Sequence, residues 1–216
     1  MYVAMGDSIT YGDNASTPNR AYPHLVNCWL AANQRSNPRF AALEVFAEPG
    51  WTSETLAGAL LSAYPAGLQS ARYVSIWVGG DDLAYAALAI AKGAPKQLLA
   101  RILKTYGRDI TGIVTLVRRV SRARIVLCTQ YNPFPNTPMA GEAIAALNEI
   151  TAATAARIGT GLAPVHSWFE GRQNQLISGY RTGRLQDVLA SPILPIHPNN
   201  LGHRVIAQGL EPILLS

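Results

Sequence analysis

The sequence contains little that could form a disulfide framework, a zinc site or a membrane span. It has only two cysteines, Cys28 and Cys128. They are far apart in the chain and lie in apolar surroundings, so we expect two buried free thiols rather than a disulfide. Their spacing matches no zinc motif. No apolar run approaches the roughly 20 residues that cross a bilayer, so we predict no membrane span.

Charge is also sparse, and lysine is especially rare. Charged residues make up 14% of the chain, with a net charge of +5. The basic residues are mostly scattered, apart from one cluster of arginines at the end of a predicted helix: Arg118, Arg119, Arg122 and Arg124. Cations at that place favourably meet the helix dipole. Because no aromatic residues are interleaved with them, we expect no nucleic-acid binding.

The remaining composition is typical of a compact globular protein. With 216 residues and 49% hydrophobic content, the chain can form one sizeable core. We find no internal repeat, linker or low-complexity segment and predict a single domain over residues 1–216. No basic region with an apolar stretch precedes the first strand, so we expect a cytoplasmic location unless a leader has been trimmed. The sequence makes no prediction of oligomeric state.

Strand-like and helical segments alternate along the chain. The predicted strands are residues 2–5, 40–48, 73–78, 124–129 and 161–165. The predicted helices are residues 20–33, 52–64, 96–120, 138–158 and 200–214, with Thr137 and Asn200 capping the last two. Residues 167–195 show no clear period, and we predict irregular structure there. The repeated strand–helix order predicts an α/β fold, a parallel sheet with helices on both faces.

Unusual polar residues and glycines stand where the predicted strands end. Ser8 follows the first strand within Gly6-Asp7-Ser8-Ile9-Thr10-Tyr11-Gly12, Gly50 follows the second, and Asp81 follows the third. Because the carboxyl ends of parallel strands share one edge of the sheet, these residues can converge. Acyl transfer needs a nucleophile, a base and N–H donors for an oxyanion. His197 lies far along the chain and is the candidate base.

These blocks together resemble the SGNH or GDSL hydrolases. The matching segments are Gly6–Gly12, Gly50–Ser53, Gly79–Asp82 and His197–His203, in that order. The resemblance implies a flavodoxin-like three-layer α/β/α sandwich with a five-stranded parallel sheet. It also implies ester hydrolysis through an acyl-serine, with a small-molecule ester as substrate and no metal or organic cofactor. By this match Ser8 is the nucleophile, His197 is the base, and the Ser8 and Gly50 N–H groups bind the oxyanion.

The chain departs from the family pattern at two positions. Asp81 stands where the family has an asparagine that donates the third oxyanion hydrogen bond, and an ionised carboxylate only accepts. We expect neighbouring Asp82 and Asp7 to raise the pKa of Asp81, so that a neutral carboxyl can donate; alternatively, two backbone donors suffice. Leu194 stands where the family has the triad aspartate. A backbone carbonyl, a water or another acid such as Asp187 would then orient His197.

Several residues after the third and fourth strands and before His197 are candidates for the substrate pocket. They are Tyr85, Tyr131, Asn132, Phe134, Leu189 and Ile193. Packing of loops onto the core is at least as good an explanation for each apolar member. An apolar wall favours short or medium acyl chains over sugars. Acetylated carbohydrates, lysophospholipids and thioesters all stay open as substrates.

Two other function classes compete with the esterase. A catalytically weak or inactive relative could bind ligands without turnover, because two expected site residues are replaced. Less favoured is a Mg²⁺-dependent phosphoryl-transfer or receiver-like domain using Asp7, Asp81 and Asp82. Such domains usually place a lysine at the site, whereas the lysines here fall after the third strand. We interpret the remaining histidines, His24, His166 and His203, as packing, surface or structural residues.

Overall fold

A computed structural model of the chain describes residues 1–33 and 42–216. Within these residues five parallel strands form one sheet in the order β2-β1-β3-β4-β5. The strands are β1 (Tyr2–Gly6), β2 (Leu43–Ala47), β3 (Tyr73–Trp77), β4 (Arg124–Cys128) and β5 (Gly161–Ala163). The predicted α/β fold with a five-stranded parallel sheet is therefore confirmed. Residues 40 and 41 of the predicted second strand lie outside the described residues.

Helices connect the strands and cover both faces of the sheet. They are α1 (Ser8–Tyr11), α2 (Tyr22–Asn33), α3 (Ser53–Ser62), α4 (Gly80–Ala91), α5 (Gln97–Val120), α6 (Pro138–Ile158), α7 (Val165–Phe169), α8 (Gln173–Leu176), α9 (Asp187–Ala190) and α10 (Asn200–Leu215). Short 3₁₀ turns occupy Pro18–Arg20 and Leu68–Ser70. None of these helices is long and apolar enough to cross a membrane, in the part of the chain that the structure describes.

Side chains of the central strands alternate between two hydrophobic layers. Tyr2 and Ala4 of β1 pack on one side with α2, α7 and α10, whereas Val3 and Met5 pack on the other with α3 and α5. All five residues of β1 are buried. Successive side chains of a strand point to opposite faces, so a central parallel strand is apolar throughout. This packing produces the three layers that the resemblance implied.

The structure corrects several local predictions. Residues 167–195 are not irregular throughout. The segment includes the second half of α7 and the whole of α8 and α9. His166 lies in α7 and does not end β5. These helices have only four or five residues, too few to show a helical period in sequence.

Of the two predicted helix caps, Asn200 was wrong and Thr137 has the predicted position without a capping hydrogen bond. Asn199 caps α10, since its side chain accepts hydrogen bonds from the N–H groups of Leu201 and Gly202. Thr137 does occupy the cap position of α6, but its side chain makes no capping hydrogen bond. Its hydroxyl instead accepts from the N–H of Leu185 and ties the start of α6 to the segment before α9. The side chains of both threonine and asparagine can accept a hydrogen bond either from the first turn of their own helix or from another backbone N–H.

The cysteine prediction was half right. Both thiols are free, and Cys128 of β4 is buried as expected. Cys28 is exposed, which overturns the expectation of a second buried thiol. Val26 and Leu30 carry the core-facing side of α2, so Cys28 between them turns outward.

Gly6 is the point of closest packing between β1 and β3. It pairs with Ala47 on one side and with Trp77 on the other. A β-carbon built on Gly6 would lie 2.0 Å from the Trp77 carbonyl oxygen and 2.4 Å from the Thr10 hydroxyl oxygen. Backbone atoms of a central sheet cannot move aside for it, so only glycine fits directly before the Ser8 turn.

We predict that Gly6→Ala destabilises the protein by more than about 2 kcal/mol, since it forces a methyl group onto backbone atoms. Gly58→Ala is a matched control in α3, because a β-carbon there meets no atom within 4 Å. That control should leave stability unchanged or raise it by about 0.5–1 kcal/mol, the ordinary gain of alanine over glycine in a helix. Urea unfolding of both variants checks this, and equal effects at the two positions would contradict it.

Candidate active site

Ser8 and His197 meet at the carboxyl edge of the sheet. Ser8 is the first residue of α1, directly after β1, and Asp7 caps that helix by accepting from the Ile9 N–H at 3.0 Å. His197 precedes α10. Its Nε2 lies 2.9 Å from the Ser8 Oγ, although 189 positions separate the two residues in sequence. Both residues are largely buried, so their hydrogen bond lies in a partly desolvated setting.

The turn that carries His197 is held by backbone contacts. The hydroxyl of Tyr131 donates to the Ile196 carbonyl, and the Ser178 N–H donates to the His197 carbonyl at 2.9 Å. Pro198 forms an antiparallel bridge with Ile177. The imidazole therefore projects from a backbone segment that contacts two neighbouring segments, one at Tyr131 and the other at Ile177 and Ser178.

Gly50 lies at the same edge, three residues after the Ala47 that pairs with Gly6. Its φ of +84° falls in the left-handed region that glycine adopts without strain. The carboxylate of Asp82 accepts from the Ser53 N–H at 2.8 Å and from the Ser53 hydroxyl at 2.6 Å. The Tyr85 hydroxyl donates to the Gly50 carbonyl at 3.4 Å. Residues of α4 thus hold the turn that contains Gly50.

Asp81 lies in the first turn of α4 among other acids. Burial, assisted by the negative charges of Asp82 and Asp13, raises the pKa of Asp81 to about 6. Burial and the charge of Asp81 likewise raise the pKa of Asp7 well above its usual range. Burial comes first in both cases, which the sequence did not indicate. The expected contribution of Asp82 to Asp81 is present, the repulsion between Asp7 and Asp81 is expressed in the raised pKa of Asp7, and Asp13 adds a contribution that was not expected.

The acids around His197 differ from those considered from sequence. Leu194 is exposed and has no charge to offer. Asp187 accepts hydrogen bonds from the Thr182 N–H and hydroxyl and from the Arg184 N–H, all within its own loop. Asp13 Oδ2, in contrast, lies 3.9 Å from the His197 Nε2. Burial lowers the pKa of His197, and the carboxylate of Asp13 partly opposes that effect.

The residues predicted to line the pocket have different positions. Tyr131 and Phe134 are buried, and the Tyr131 ring stacks on Phe169 with centroids 4.2 Å apart. Tyr131 therefore lies beneath the His197 turn. Leu189 is 91% exposed, and Tyr85 and Ile193 are about half exposed. The Asn132 side chain accepts from the Phe134 N–H at 2.9 Å, within the turn after β4.

Asn132 also borders a cavity of about 600 Å³ between α6 and the α7–α8 segment. Polar side chains, among them Asn148, His166 and Glu170, contribute to its wall, and neither Ser8 nor His197 does.

Among residues 1–33 and 42–216 no group of three or more His, Cys, Asp or Glu side chains could hold a metal ion.

The sequence analysis did not identify Asp13, and it interpreted His203 as structural without indicating that its contacts hold Asp13. Asp13 directly follows the Gly6–Gly12 motif, which was the available signal. His203 is fully buried in α10, where its Nδ1 accepts from the Tyr22 N–H at 3.3 Å. The proton is then on Nε2, which lies 3.3 Å from the Asp13 carbonyl and donates to it. His203 thereby fixes the backbone of Asp13 next to His197.

This buried histidine makes a testable contribution to pH-dependent stability. Burial lowers the pKa of His203 to about 4, and the neighbouring His197 adds to the effect. An unfolded histidine titrates near 6.5. Between these values the unfolded chain binds a proton that the folded protein excludes, so stability from this group is complete above about 6.5 and declines toward pH 4.

We predict that the free energy of unfolding of the wild type, relative to His203→Gln, falls by about 2 kcal/mol between pH 7.5 and pH 4.5. The comparison cancels the opposing effect of the buried acids, which both proteins share. His24→Gln changes a half-buried histidine of α2 and is the control. Its free energy of unfolding relative to the wild type should not show the same dependence on pH. Urea unfolding at the two pH values measures it, and a pH-independent difference would contradict the prediction.

The sequence pattern of the GDSL-like Lipase/Acylhydrolase family matches residues 4–205. The chain therefore belongs to this family of ester-hydrolysing enzymes, and the prediction of a GDSL-type esterase or lipase is confirmed at that level. A comparison with curated proteins found no match.

Solved structures with the same fold cover nearly the whole chain. The lipase Lip_vut3 from a goat rumen metagenome is 18% identical, with a TM-score of 0.81, covering 98% of this chain and 96% of that one. A phospholipase A1 from Streptomyces albidoflavus NA297 is 20% identical, with a TM-score of 0.69 and coverage of 99% and 97%. An acetylxylan esterase from Geobacillus stearothermophilus is 16% identical, with a TM-score of 0.67 and coverage of 99% and 93%. At these identities the likeness concerns the fold.

Proposed function

We propose that the protein is a serine esterase in which Ser8 is the nucleophile and His197 is the general base. The observation that carries the proposal is the 2.9 Å contact between Ser8 Oγ and His197 Nε2 in a chain of this family. A serine hydroxyl is a weak nucleophile until an adjacent base accepts its proton, and this distance allows that transfer. We also propose that residues 1–216 act as one domain. The single five-stranded sheet, at whose edge Ser8 and His197 meet, supports this.

The reaction would proceed in two halves. Ser8 Oγ attacks the acyl carbonyl while its proton passes to His197 Nε2, and His197 then returns that proton to the leaving alcohol. A water molecule then attacks the acyl-serine and gives a proton to His197. His197 returns this proton to Ser8 Oγ as the bond between Oγ and the acyl carbon breaks and the acid is released. This cycle consumes one water and needs no metal or organic cofactor.

The oxyanion would be stabilised mainly by backbone donors. We assign the N–H groups of Ser8 and Gly50 to this role by their match to the family motifs and by their common edge of the sheet. Asp81 adds a third donor only when its carboxyl is protonated, because an ionised carboxylate repels the oxyanion. The raised pKa of Asp81, about 6, supports a neutral fraction under mildly acidic conditions.

We propose small-molecule esters with short or medium acyl chains as substrates. The fold neighbours include a lipase, a phospholipase A1 and an acetylxylan esterase, so a common fold serves several ester classes. The partly exposed Tyr85, whose hydroxyl reaches the Gly50 carbonyl, supports an apolar wall near the reacting acyl group. We infer that Asp7 and Asp82 act structurally, as the α1 cap and as the Ser53 partner.

The proposal predicts that Ser8→Ala lowers hydrolysis of p-nitrophenyl acetate at least a thousandfold, since removal of a serine nucleophile has effects of this size or larger. A fluorophosphonate probe should raise the mass of the wild type by one probe adduct per protein molecule and leave the mass of Ser8→Ala unchanged. Ser62→Ala, at an exposed position in α3, removes an equivalent hydroxyl and should behave as wild type.

Two results would contradict this assignment. Equal activity and labelling of Ser8→Ala would place the nucleophile elsewhere. Absence of both hydrolysis and labelling in the wild type, combined with recovery in Asp81→Asn, would identify a site disabled at one residue and favour the ligand-binding alternative.

The pKa of Asp81 gives the proposal a distinctive pH dependence. Above about pH 6 the Asp81 carboxyl is mostly ionised. The protonated fraction, which alone can donate a hydrogen bond, then falls roughly tenfold for each pH unit. Asparagine donates at every pH. We therefore expect Asp81→Asn to exceed the wild type in kcat/KM by about a hundredfold at pH 8, the usual value of one oxyanion donor.

This advantage should shrink to near unity at pH 5, where Asp81 is protonated. The ratio of the two proteins is the quantity to measure, because titration of His197 affects both. Glu142→Gln, an exposed change of the same charge in α6, should track the wild type at every pH. A ratio that stays constant from pH 5 to 8 would show that Asp81 does not donate to the oxyanion.

A further inference from the structure

Asp13 occupies an unusual place relative to His197. Its Oδ2 lies 3.9 Å from Nε2, the same nitrogen that faces Ser8. Among residues 1–33 and 42–216 it is the one acid within 4.0 Å of either ring nitrogen of His197. Leu194, where the family carries its acid, leaves the Nδ1 side without that carboxylate.

The loop that carries Asp13 is fixed at several points. The Asp13 N–H donates to the Ser8 carbonyl at 3.0 Å, and its own carbonyl accepts from His203. Further along, Asn200 accepts from the Ser16 N–H and donates to the Ser16 hydroxyl, both at 2.9 Å. These contacts tie the loop to α1 and to the first turn of α10, the two elements that flank Ser8 and His197. The position of the carboxylate is therefore built into the fold.

We propose that Asp13 supplies the negative charge that a triad acid normally supplies, acting through space on the Nε2 side of His197. The proposal rests on the proposed function, in which His197 is the base. Asp13 acts through His197 and takes no proton or bond in the reaction, so it is a positioning residue for the charge that forms on His197.

The chemistry needs no additional proton transfer. As Ser8 Oγ forms its bond to the acyl carbon, the O–H bond breaks and its proton bonds to Nε2, so His197 becomes an imidazolium. An ionised Asp13 at 3.9 Å stabilises that cation and keeps its own charge throughout. When the leaving alcohol takes the proton, His197 is neutral again. Asp13 is about one-third exposed, so water screens part of this attraction.

Orientation and charge are thus provided by different groups. In a triad one carboxylate both orients the imidazole through Nδ1–H and stabilises its positive form. Here the Tyr131 hydroxyl and the Ser178 N–H hold the backbone around His197, and Asp13 contributes charge alone. Loss of Asp13 should therefore cost far less than the roughly ten-thousandfold loss that follows when a triad acid no longer sets the tautomer.

Other titratable groups around the pair affect the design of the test. Asp81 of α4 interacts electrostatically with Asp13, and His203 of α10 interacts with His197. Burial lowers the pKa of His197 and Asp13 opposes this, whereas His203 titrates only near pH 4. An Asp81→Asn background removes one carboxyl whose pKa is raised to about 6. The raised pKa values of Asp7 and Asp82 are shared by the parent and its variants, so the NMR titration of the His197 ring, rather than the acid limb of kcat/KM alone, assigns the change to His197.

The test compares Asp13→Asn and Asp13→Glu with their parent, Asp81→Asn. In the asparagine variant the pKa of His197 should fall by about one unit, both in the acid limb of kcat/KM and in an NMR titration of its ring proton. Its kcat for p-nitrophenyl acetate at the plateau should fall about tenfold. The glutamate variant keeps the charge and should remain close to the parent. Glu142→Gln should change neither quantity.

Each outcome decides the proposal. An unchanged NMR pKa in Asp13→Asn, or an equal fall in Glu142→Gln, would overturn it. A fall in kcat without any change in pKa would mean that Asp13 only supports the loop, and would also overturn it. If the parent enzyme hydrolyses no ester, the proposed function fails, while the NMR titration still reports whether Asp13 sets the charge state of His197.

Discussion

The candidate site depends on one constraint, the in-register parallel pairing of β1 with both β2 and β3. Gly6, Ala47 and Trp77 are aligned at one edge, so the segments that follow these strands leave the sheet side by side. That alignment brings the Ser8 turn, the Gly50 turn and the start of α4 together, although they come from distant parts of the sequence. The close contact at Gly6 explains why the strand before the serine tolerates no larger residue.

Buried acids distinguish this site from a simple serine–histidine pair. Asp82 is occupied by hydrogen bonds from Ser53, and Asp7 caps α1. In the proposed mechanism Asp81 and Asp13 interact with the charges that develop during catalysis, Asp81 with the oxyanion and Asp13 with His197. Their effects have opposite signs, because an ionised Asp81 opposes a negative oxyanion whereas an ionised Asp13 favours a positive imidazole.

The sheet, the long helices and the Ser8–His197 pair could be predicted because their signals are local. Apolar strands, the helical stripe of α5 and the motif around Ser8 are each visible within a few residues. Whether Asn199 or Asn200 caps α10 could not be decided locally, since both positions carry asparagine, a good capping residue. The approach of Asp13 to His197 was unpredictable for a different reason: it depends on contacts with α10, about 190 residues away, that fix a loop with no period of its own.

The distance along the chain between Ser8 and His197 has a consequence for synthesis in the cell. A ribosome produces Ser8, the proposed nucleophile, 189 positions before His197, the proposed base. The groups that fix Asp13, His203 and Asn200, follow in the same late segment. A nascent chain therefore carries Ser8 without its proposed base until α10 has emerged and can pack against α2. If the proposed roles hold, Ser8 is not activated for acylation before that step.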